Sequence, residues 1–313
     1  MIFIAVADIR FWFKTTYLYY GAALLMIIIV NIMGHNAMGA TRWFKIGGFA
    51  IQPSEIMKIC LVMALAKYFY NIEADNIGQI KRIVAPILMV AIPALLIFKQ
   101  PDLGTAIILC LAGVSVFFVA GVKLWKFIFV GVSALISIPL LWIFVLYDYQ
   151  KERVLNFINP DNDPLGTGYN IIQSKIAIGS GGFGGKGYLQ GTQGQLQFLP
   201  EKQTDFIFTM LAEEVGMVGS MGAIAIYCLI IYQGFKIALQ TKHQFGRLLA
   251  IGITNILFIH MFVNMGMVMG LLPVVGAPLP LISYGGTITA TMLIGFGLLL
   301  NVDANRKIEN LDR

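Results

Sequence analysis

Charged residues are scarce in this chain of 313 residues: Asp, Glu, Lys and Arg make up only 12% of it, against about 25% in a soluble domain. Hydrophobic residues make up 58%, and the mean hydropathy is +0.79. This composition excludes an ordinary soluble enzyme and is typical of a polytopic helical membrane protein. The net charge of +6 does not indicate a nucleic-acid partner, because in such a protein the positions of the charges matter more than their sum.

Cysteine and histidine are also rare, with three of each. Cys60, Cys110 and Cys228 all lie in apolar runs, so we interpret them as small buried hydrophobic residues. Their spacing excludes a disulfide framework and a metal site of the zinc type. The histidines are far apart and near no cysteine cluster, so we interpret them as packing or surface residues rather than ligands.

Eight apolar runs approach the ~20 residues that a helix needs to cross a bilayer. They cover residues 17–34, 54–70, 83–98, 103–121, 127–147, 207–235, 248–270 and 282–301. We therefore predict an all-α integral membrane protein, a bundle of about eight complete spans. Met1 to Ala7 is apolar but too short to cross. It has no charged leader or cleavage site, so it resembles the end of a helix rather than a signal peptide.

Lys and Arg are divided unequally between the two sets of connections. Thirteen lie on one side: Arg10, Lys14, Lys67, Lys81, Arg82, Lys123, Lys126, Lys236, Lys242, Arg247, Arg306, Lys307 and Arg313. The short connections on the other side hold only Arg42, Lys45 and Lys99. The positive-inside rule places the first set, and the C-terminus, in the cytoplasm. We predict one domain over residues 1–313, with a large extracytoplasmic loop at 148–206.

Three carboxylates lie where that loop meets a membrane span. They are Asp205, Glu213 and Glu214, and all three precede the uncharged run Val215 to Gln233. Ionised groups at a membrane boundary are costly without a partner and so suggest a functional site. A carboxylate there could act on the head group of a lipid. The alternative is that Asp205 only favours a helix start, which is worth roughly 0.3–1 kcal/mol. From this segment alone the two interpretations remain equally open.

The other outer segments carry further polar residues. In RWFK, Arg42 and Trp43 either anchor the chain at the lipid interface or, through Arg42, capture a phosphate group. Glu55 and Lys58 are three residues apart, on one helical face just inside the membrane. They either neutralise each other, or Lys58 faces a cavity and balances Asp205.

The segment KQPDLGTA carries Lys99 outside the membrane and Asp102 in the first turn of a helix, where a simple helix-start role is favoured. The loop residues YNIIQSKIAI predict a short surface helix over 169–178. The glycine-rich stretch GSGGFGGKG that follows contains Lys186. It lacks the strand–turn–helix context of a dinucleotide site, but its backbone could approach a phosphate or sugar, or form a mobile flap.

The last outer turn, GLLPVVGAPLPLISYGG, contains too many prolines and glycines for a regular helix. Irregular backbone at membrane depth persists only where other parts of the protein, or water in a cavity, form hydrogen bonds with its polar groups. Asn264, Ser283 and Tyr284 supply polar groups near this turn. We therefore expect the outer segments to converge with Asp205 on one polar region that faces outward.

Five motifs, in the same order, give the chain a family resemblance. They are RWFKIGGFAIQPSEIMK, QPDLGTA, DPLGTGYNIIQSKIAIGSGGFGGKG, FLPEKQTDFIF with AEEVG, and NMGMVMGLLPVVGAPLPLISYGG. With them the chain resembles the SEDS family of bacterial morphogenesis and division proteins, and its rod-shape elongation branch more than its division branch. The family's ten spans imply that one full span and most of another precede the first complete span here, so we expect the native gene to encode a longer N-terminus.

The resemblance implies a peptidoglycan glycosyltransferase of the bacterial cytoplasmic (inner) membrane, polymerising lipid II on the outer side. The family's essential acidic residue falls on Asp205, its acid–lysine pair on Glu55 and Lys58, and its loop tryptophan on Trp43. We interpret Asp205 as the general base in an inverting displacement. Alternatives are a lipid II flippase and a non-catalytic scaffold of the elongation machinery.

The pyrophosphate leaving group also needs positive charge. Arg42, Lys58, Lys99, Lys186 or a divalent cation such as Mg²⁺ or Mn²⁺ could supply it, and Asp102 and Ser283 are candidate supporting residues. The implied partners are a class B penicillin-binding protein, a transpeptidase, and other membrane proteins of the elongation complex. Gly252 and Gly266 could let a single partner helix approach the later spans.

Overall fold

The computed structural model describes residues 1–33, 35–37, 40–46, 49–72, 77–159, 167–195, 199, 201–309 and 311. Within these ranges the chain forms twelve helices and three short strands. The helices are α1 (Ile2–Val6), α2 (Ile9–Met33), α3 (Pro53–Tyr70), α4 (Ile80–Phe98), α5 (Leu103–Ala120), α6 (Leu124–Phe144), α7 (Asp148–Ile158), α8 (Thr167–Ser180), α9 (Thr192–Gln195), α10 (Ile207–Gln240), α11 (Gln244–Val268) and α12 (Gly286–Ala304). The strands are β1 (His35–Ala37), β2 (Ala40–Ile46) and β3 (Phe49–Ile51).

Each of the eight apolar runs coincides with one long helix, which confirms the polytopic helical architecture. Among the described residues, α2, α4, α5, α10, α11 and α12 are long and apolar enough to cross a membrane. The last run begins later than predicted, at Gly286 instead of residue 282. Gly285 accounts for the delay, because its backbone is extended, with φ 175° and ψ 102°, and it forms the N-cap of α12.

The segment from 35 to 51 contains a small sheet that the apolar runs do not predict. Strand β2 pairs antiparallel with β1 on one side and β3 on the other, with Phe44 opposite Ile51 and Ile46 opposite Phe49. Aromatic and β-branched residues favour a pleated, half-buried surface. The interfacial stretch around Trp43 is therefore a strand. The next strand, β3, leads through Gln52 into α3.

The chain divides into two compact units. The first comprises Met1–Val122, Leu229–Ile259 and Gly285–Arg313, and the second comprises Lys123–Cys228 and His260–Tyr284. Helices α10 and α11 contribute residues to both units. The single domain over 1–313 and the loop boundaries at 148–206 remain predictions.

Helix α3 forms the core of the first unit. Pro53 occupies its first turn, and most of its side chains are buried against α2, α5 and α12. The short helix α1 packs on α12, where Asn301 Nδ2 donates to the carbonyls of Ile4 and Ala5, both at 3.1 Å. Of the three cysteines, Cys60 is buried as predicted. Cys228 on α10 is exposed, so that part of the prediction was wrong.

In the second unit, the predicted short helix over 169–178 is confirmed as α8. Ile171, Ser174 and Ala177 lie three residues apart on its buried face. The helix ends where the glycine-rich stretch begins, and residues 181–184 form turns. The turn-rich residues 160–166, which precede α8, lie outside the described part of the chain.

His243 gives the protein a testable pH dependence. The side chain lies buried just before α11, where its Nδ1 accepts a hydrogen bond from the Gly246 amide at 2.9 Å. Burial, aided by the charge of Arg247, lowers the pKa of His243 from 6.5 to about 4. Because protonation then favours the unfolded chain, stability is fully present above about pH 6.5 and is lost as the pH falls toward about 4.

We expect this loss to amount to about 2–4 kcal/mol in the free energy of unfolding. A His243→Asn variant can still cap α11 but does not titrate in this range, so it should lack this component. Thermal melting of both proteins at pH 7 and pH 4.5 measures the difference. The same pH dependence in both proteins would exclude His243 as its source.

Candidate functional site

Asp205 lies in a turn that immediately precedes α10, and it is partly exposed. Three hydrogen bonds tie this turn to α11 and to the irregular segment between α11 and α12. Asn264 Nδ2 donates to the Asp205 carbonyl at 2.8 Å, Ser283 Oγ donates to the Thr204 carbonyl at 2.6 Å, and the Tyr284 amide donates to the Gln203 carbonyl at 2.8 Å. The predicted convergence of Asp205 with the last outer turn is therefore present within the second unit.

Asn264 is the residue that joins the two segments. Its side chain is fully buried, and its amide also donates to the Ala277 carbonyl, at 2.7 Å. Among the described residues, Asn264 Oδ1 accepts no hydrogen bond. Both amide protons are therefore used to hold the main chain of Asp205 next to the main chain of Ala277.

Gly276 provides the space beside the Asp205 carboxylate. Its φ is +71°, in the left-handed region that favours glycine. A Cβ placed there would lie 3.3 Å from Asp205 Oδ2. The carboxylate thus lies directly over a residue without a side chain, at the point where the polar turn meets a membrane span.

A second polar cluster lies in the first unit, at the beginnings of α3, α5 and α12. Asp102 caps α5 by accepting from the Thr105 amide at 3.2 Å, and its other oxygen accepts from Gln52 Nε2 at 3.1 Å. Thr287 Oγ1 accepts from the Gln52 amide at 3.3 Å and donates to the Ala50 carbonyl at 2.9 Å. The favoured helix-start role of Asp102 is confirmed, and the cap also binds a neighbouring segment.

Glu55 and Lys58 form a buried ion pair in the same unit, with Lys58 Nζ 2.8 Å from Glu55 Oε1. Their side chains are only 5% and 1% exposed. Of the two alternatives that their spacing left open, mutual neutralisation is present in the structure. The functional roles of both residues, including the balance between Lys58 and Asp205, remain predictions.

Lys186 has a partner that the sequence analysis did not assign to it. Its Nζ lies 2.8 Å from Oε1 of Glu213, whose carboxylate is fully buried on α10. The same oxygen accepts from Thr192 Oγ1 and from the Gln193 amide, both at 3.1 Å. A glutamate inside an apolar helix was the available signal, since such a residue needs a partner. The ion pair neutralises Lys186, which we had considered as a cation for the pyrophosphate.

The other predicted site residues are less informative. Lys99 is exposed at the end of α4, and Trp43 is half-buried on β2. Arg42 lies on β2, but its side chain is outside the described part of the structure. Within the described ranges, no three His, Cys, Asp or Glu residues are grouped closely enough to hold a metal ion.

The role of Asn264 in holding the Asp205 turn can be tested. Replacing Asn264 with Leu keeps the approximate volume but removes both donors to the Asp205 and Ala277 carbonyls. Because small misplacements of a catalytic group are costly, we expect the rate of the reaction that depends on Asp205 to fall about tenfold to a hundredfold. The matched control is Asn255→Leu, at a half-buried position of the same helix. Equal rates in the two variants would show that Asn264 does not position Asp205.

Comparison with known proteins identifies the family of the chain. Residues 1–308 match the FtsW/RodA/SpoVE family model, described as "Cell cycle protein". The chain is 45% identical over 290 residues to the peptidoglycan glycosyltransferase MrdB of Escherichia coli K12. The matched region covers 92% of this chain and 78% of MrdB. The chain is also 38% identical over 280 residues to the stage V sporulation protein E of Bacillus subtilis, covering 89% of this chain and 75% of that protein.

Solved structures are similar as well. A chain of a peptidoglycan synthase complex, described as coordinating polymerization and crosslinking, superposes with a TM-score of 0.82 at 35% identity, covering 97% of this chain and 85% of that chain. The rod shape determining protein RodA of Thermus thermophilus gives a TM-score of 0.71 at 29% identity, covering 98% and 83%.

Proposed function

Since the chain belongs to the SEDS family of FtsW, RodA and SpoVE proteins, we propose that it is a RodA-like peptidoglycan glycosyltransferase, which polymerises lipid II during cell elongation. The observation that carries this proposal is the placement of Asp205. Three hydrogen bonds fix its turn at the start of a membrane span, and its carboxylate lies over Gly276. A carboxylate on a turn that is fixed at a membrane boundary suits a base that acts on a lipid-linked sugar.

In the proposed reaction, the Asp205 carboxylate accepts the proton of the acceptor's 4-hydroxyl group. The resulting oxygen nucleophile attacks the donor's anomeric carbon, and the bond from that carbon to undecaprenyl pyrophosphate breaks. Direct displacement inverts the α-linkage of the donor into a β-1,4 linkage. Pyrophosphate leaves as an anion, so the step needs a base and positive charge but no general acid.

Positive charge near the leaving group is the second requirement. Lys99 and Arg42 remain candidates for it. Lys58 and Lys186 are candidates whose charge is at present matched by a buried glutamate. We propose that a divalent cation, Mg²⁺ or Mn²⁺, would arrive with the pyrophosphate, because Mg²⁺ is usually held by one or two carboxylates together with substrate phosphates.

The chain is a multi-pass membrane protein. We propose that it lies in the bacterial cytoplasmic membrane, with its C-terminus in the cytoplasm and Asp205 facing outward. The unequal distribution of Lys and Arg supports this orientation, because cytoplasmic connections carry the excess of positive charge. Lipid II must therefore reach the site from the outer leaflet.

A class B penicillin-binding protein is the proposed partner, together with other membrane proteins of the elongation complex. The similarity to a chain of a peptidoglycan synthase complex supports a transpeptidase partner. The helix contact that we predicted at Gly252 and Gly266 is wrong. A Cβ at Gly252 would lie 2.3 Å from Val62 Cγ1, and one at Gly266 would lie 2.9 Å from Leu272 Cδ1, so both glycines accommodate side chains of this chain itself.

Polymerisation of fluorescent lipid II by the purified protein, with and without the transpeptidase, tests the proposed function. We expect glycan strands in both cases and a faster rate with the partner. A lipid II flippase would instead move the lipid across vesicle membranes without forming glycan, and a scaffold would do neither. Failure to form glycan in the presence of partner and divalent cation would contradict the proposal.

A further inference from the structure

Helix α10 is broken at Gly216, where φ is +65° and ψ is −162°. In a continuous α-helix the Met217 amide would bond to the Glu213 carbonyl, and the Val218 amide to the Glu214 carbonyl. The break separates these pairs. It therefore leaves two donors and two acceptors without their helical partners inside an apolar span, where unpaired backbone groups are costly.

The glycine-rich residues 181–187, which we call the spliced loop, bond to all four of these groups. The Lys186 amide donates to the Glu213 carbonyl and the Gly187 amide to the Glu214 carbonyl, both at 3.0 Å. On the other side of the break, the Met217 amide donates to the Gly182 carbonyl at 2.8 Å, and the Val218 amide donates to the Phe183 carbonyl at 3.2 Å. The loop thus replaces two backbone hydrogen bonds of the helix.

Three glycines make this contact sterically feasible. A Cβ at Gly181 would lie 2.1 Å from the Ala212 oxygen, one at Gly185 would lie 2.1 Å from the Glu214 oxygen, and one at Gly216 would lie 2.2 Å from the Gly185 nitrogen. All of these distances are far shorter than van der Waals contact. The ion pair between Lys186 and Glu213 adds a side-chain tie to the same contact. The stretch that the sequence suggested as a mobile flap is therefore bonded into a membrane helix.

The position of this contact sets the depth of the loop. The uncharged run 215–233 contains 19 residues, so as a helix it spans about 28 Å, close to the ~30 Å of a hydrocarbon layer. Val218 is the fourth residue of that run, and the Phe183 carbonyl bonds to it. Phe183 is therefore held beside the first turn of this uncharged run.

Large apolar side chains of the loop are exposed at this depth. Phe183 is 78% exposed, and next to the loop Tyr188 and Leu189 are 80% and 62% exposed. Val218 on α10, whose amide bonds to the Phe183 carbonyl, is 70% exposed, and Met221 and Leu229 further along the helix are also exposed. The apolar surface of the loop is thus continuous with an apolar, outward face of a membrane helix.

We propose that the spliced loop anchors the extramembrane region to the bilayer, with Phe183, Tyr188 and Leu189 inserted among lipid chains at the membrane boundary. Lipid is favoured as the occupant because the patch is continuous with a membrane-spanning face. Phenylalanine and leucine suit the hydrocarbon, and tyrosine is enriched at membrane interfaces. The neighbouring cation, Lys186, is already paired with Glu213, so the apolar residues provide the contact.

Photocrosslinking can identify the occupant directly. The photoreactive residue p-benzoylphenylalanine would be placed at position 183 or, in a second variant, at position 188. Each protein would be reconstituted with its transpeptidase in nanodiscs that contain phospholipids with labelled acyl chains. Position 229, in the middle of the exposed face of α10, is the positive control. Position 201, an exposed glutamate in the turn before α10, is the negative control.

We expect labelled lipid adducts at positions 183 and 188 at yields within about threefold of position 229, and a yield at position 201 at least tenfold lower. Because both substituted side chains are exposed, the reagent replaces them without entering the core. Adducts to the transpeptidase would overturn the proposal by identifying a protein occupant. Lipid yields no higher than those at position 201 would overturn it as well. Polymerisation activity does not enter this test, so it is independent of the proposed function.

Discussion

An Asp205→Asn variant is expected to polymerise lipid II at least ~10²-fold more slowly than the unsubstituted protein, because the substitution removes the proposed general base. Asparagine has nearly the same shape as aspartate. The hydrogen bond from Asn264 is made to the main chain of residue 205, so it survives the change. Folding and membrane insertion should therefore persist, and the loss should appear in the rate of the chemical step.

The matched control is Glu201→Gln, four residues earlier in the same turn. Glu201 Oε2 accepts a hydrogen bond from Thr204 Oγ1 at 2.9 Å, and the glutamine oxygen can accept the same bond. This variant removes a carboxylate from the turn without removing the proposed base, so it should retain most of the activity. Initial rates of glycan formation, with matched amounts of monodisperse protein, give the comparison. Near-normal polymerisation by Asp205→Asn would refute the assignment of the base.

A Lys58→Met variant is expected to lose about 3–5 kcal/mol of stability, because it leaves the buried Glu55 carboxylate without its ammonium partner. The melting temperature should fall clearly, and polymerisation should fall with it. Melting and activity that are both unchanged would show that the pair contributes nothing measurable. Lys67→Met, at the half-buried far end of the same helix, is the control for loss of a lysine.

A double variant separates stability from function at this pair. Replacing Glu55 with Gln as well as Lys58 with Met removes both charges, and such replacements often restore the stability lost in the single variant. If the restored protein remains inactive, the pair has a role in the reaction beyond folding. If activity returns together with stability, the pair is structural.

The apolar runs predicted the helices well but not what interrupts them. Each of the eight runs became a helix because there is no water in the hydrocarbon layer. The backbone N–H and C=O groups there must therefore bond to one another. The break at Gly216 was missed because residues on both sides continue the same apolar pattern, and its cause is a loop some thirty residues away in sequence. The sheet around Trp43 was missed because its strands are short and depend on pairing with each other.

Candidate residues for the site could be named from the sequence, but the hydrogen bonds among them could not. The resemblance to the SEDS family placed the acid on Asp205 and the acid–lysine pair on Glu55 and Lys58. Their spacing allowed the two side chains to pair but left a balance between Lys58 and Asp205 equally open. The sequence predicted that Asp205 would converge with the turn near Asn264, but not the hydrogen bond that Asn264, 59 residues later on α11, makes to the Asp205 main chain. The pairing of Lys186 with Glu213 could not be predicted either. Several lysines lie on outer segments, and the sequence does not indicate which of them pairs with Glu213.

The spliced loop also has a consequence for biogenesis. The ribosome delivers residues 181–187 before the apolar run of α10, so the loop is available when the helix enters the membrane. A helix interrupted at Gly216 would carry four unpaired backbone groups into lipid if it partitioned alone. We therefore expect loop and helix to leave the translocon as one preassembled hairpin. Faults in the loop should then appear first as failed insertion and degradation of the nascent chain, before any defect in cell-wall synthesis.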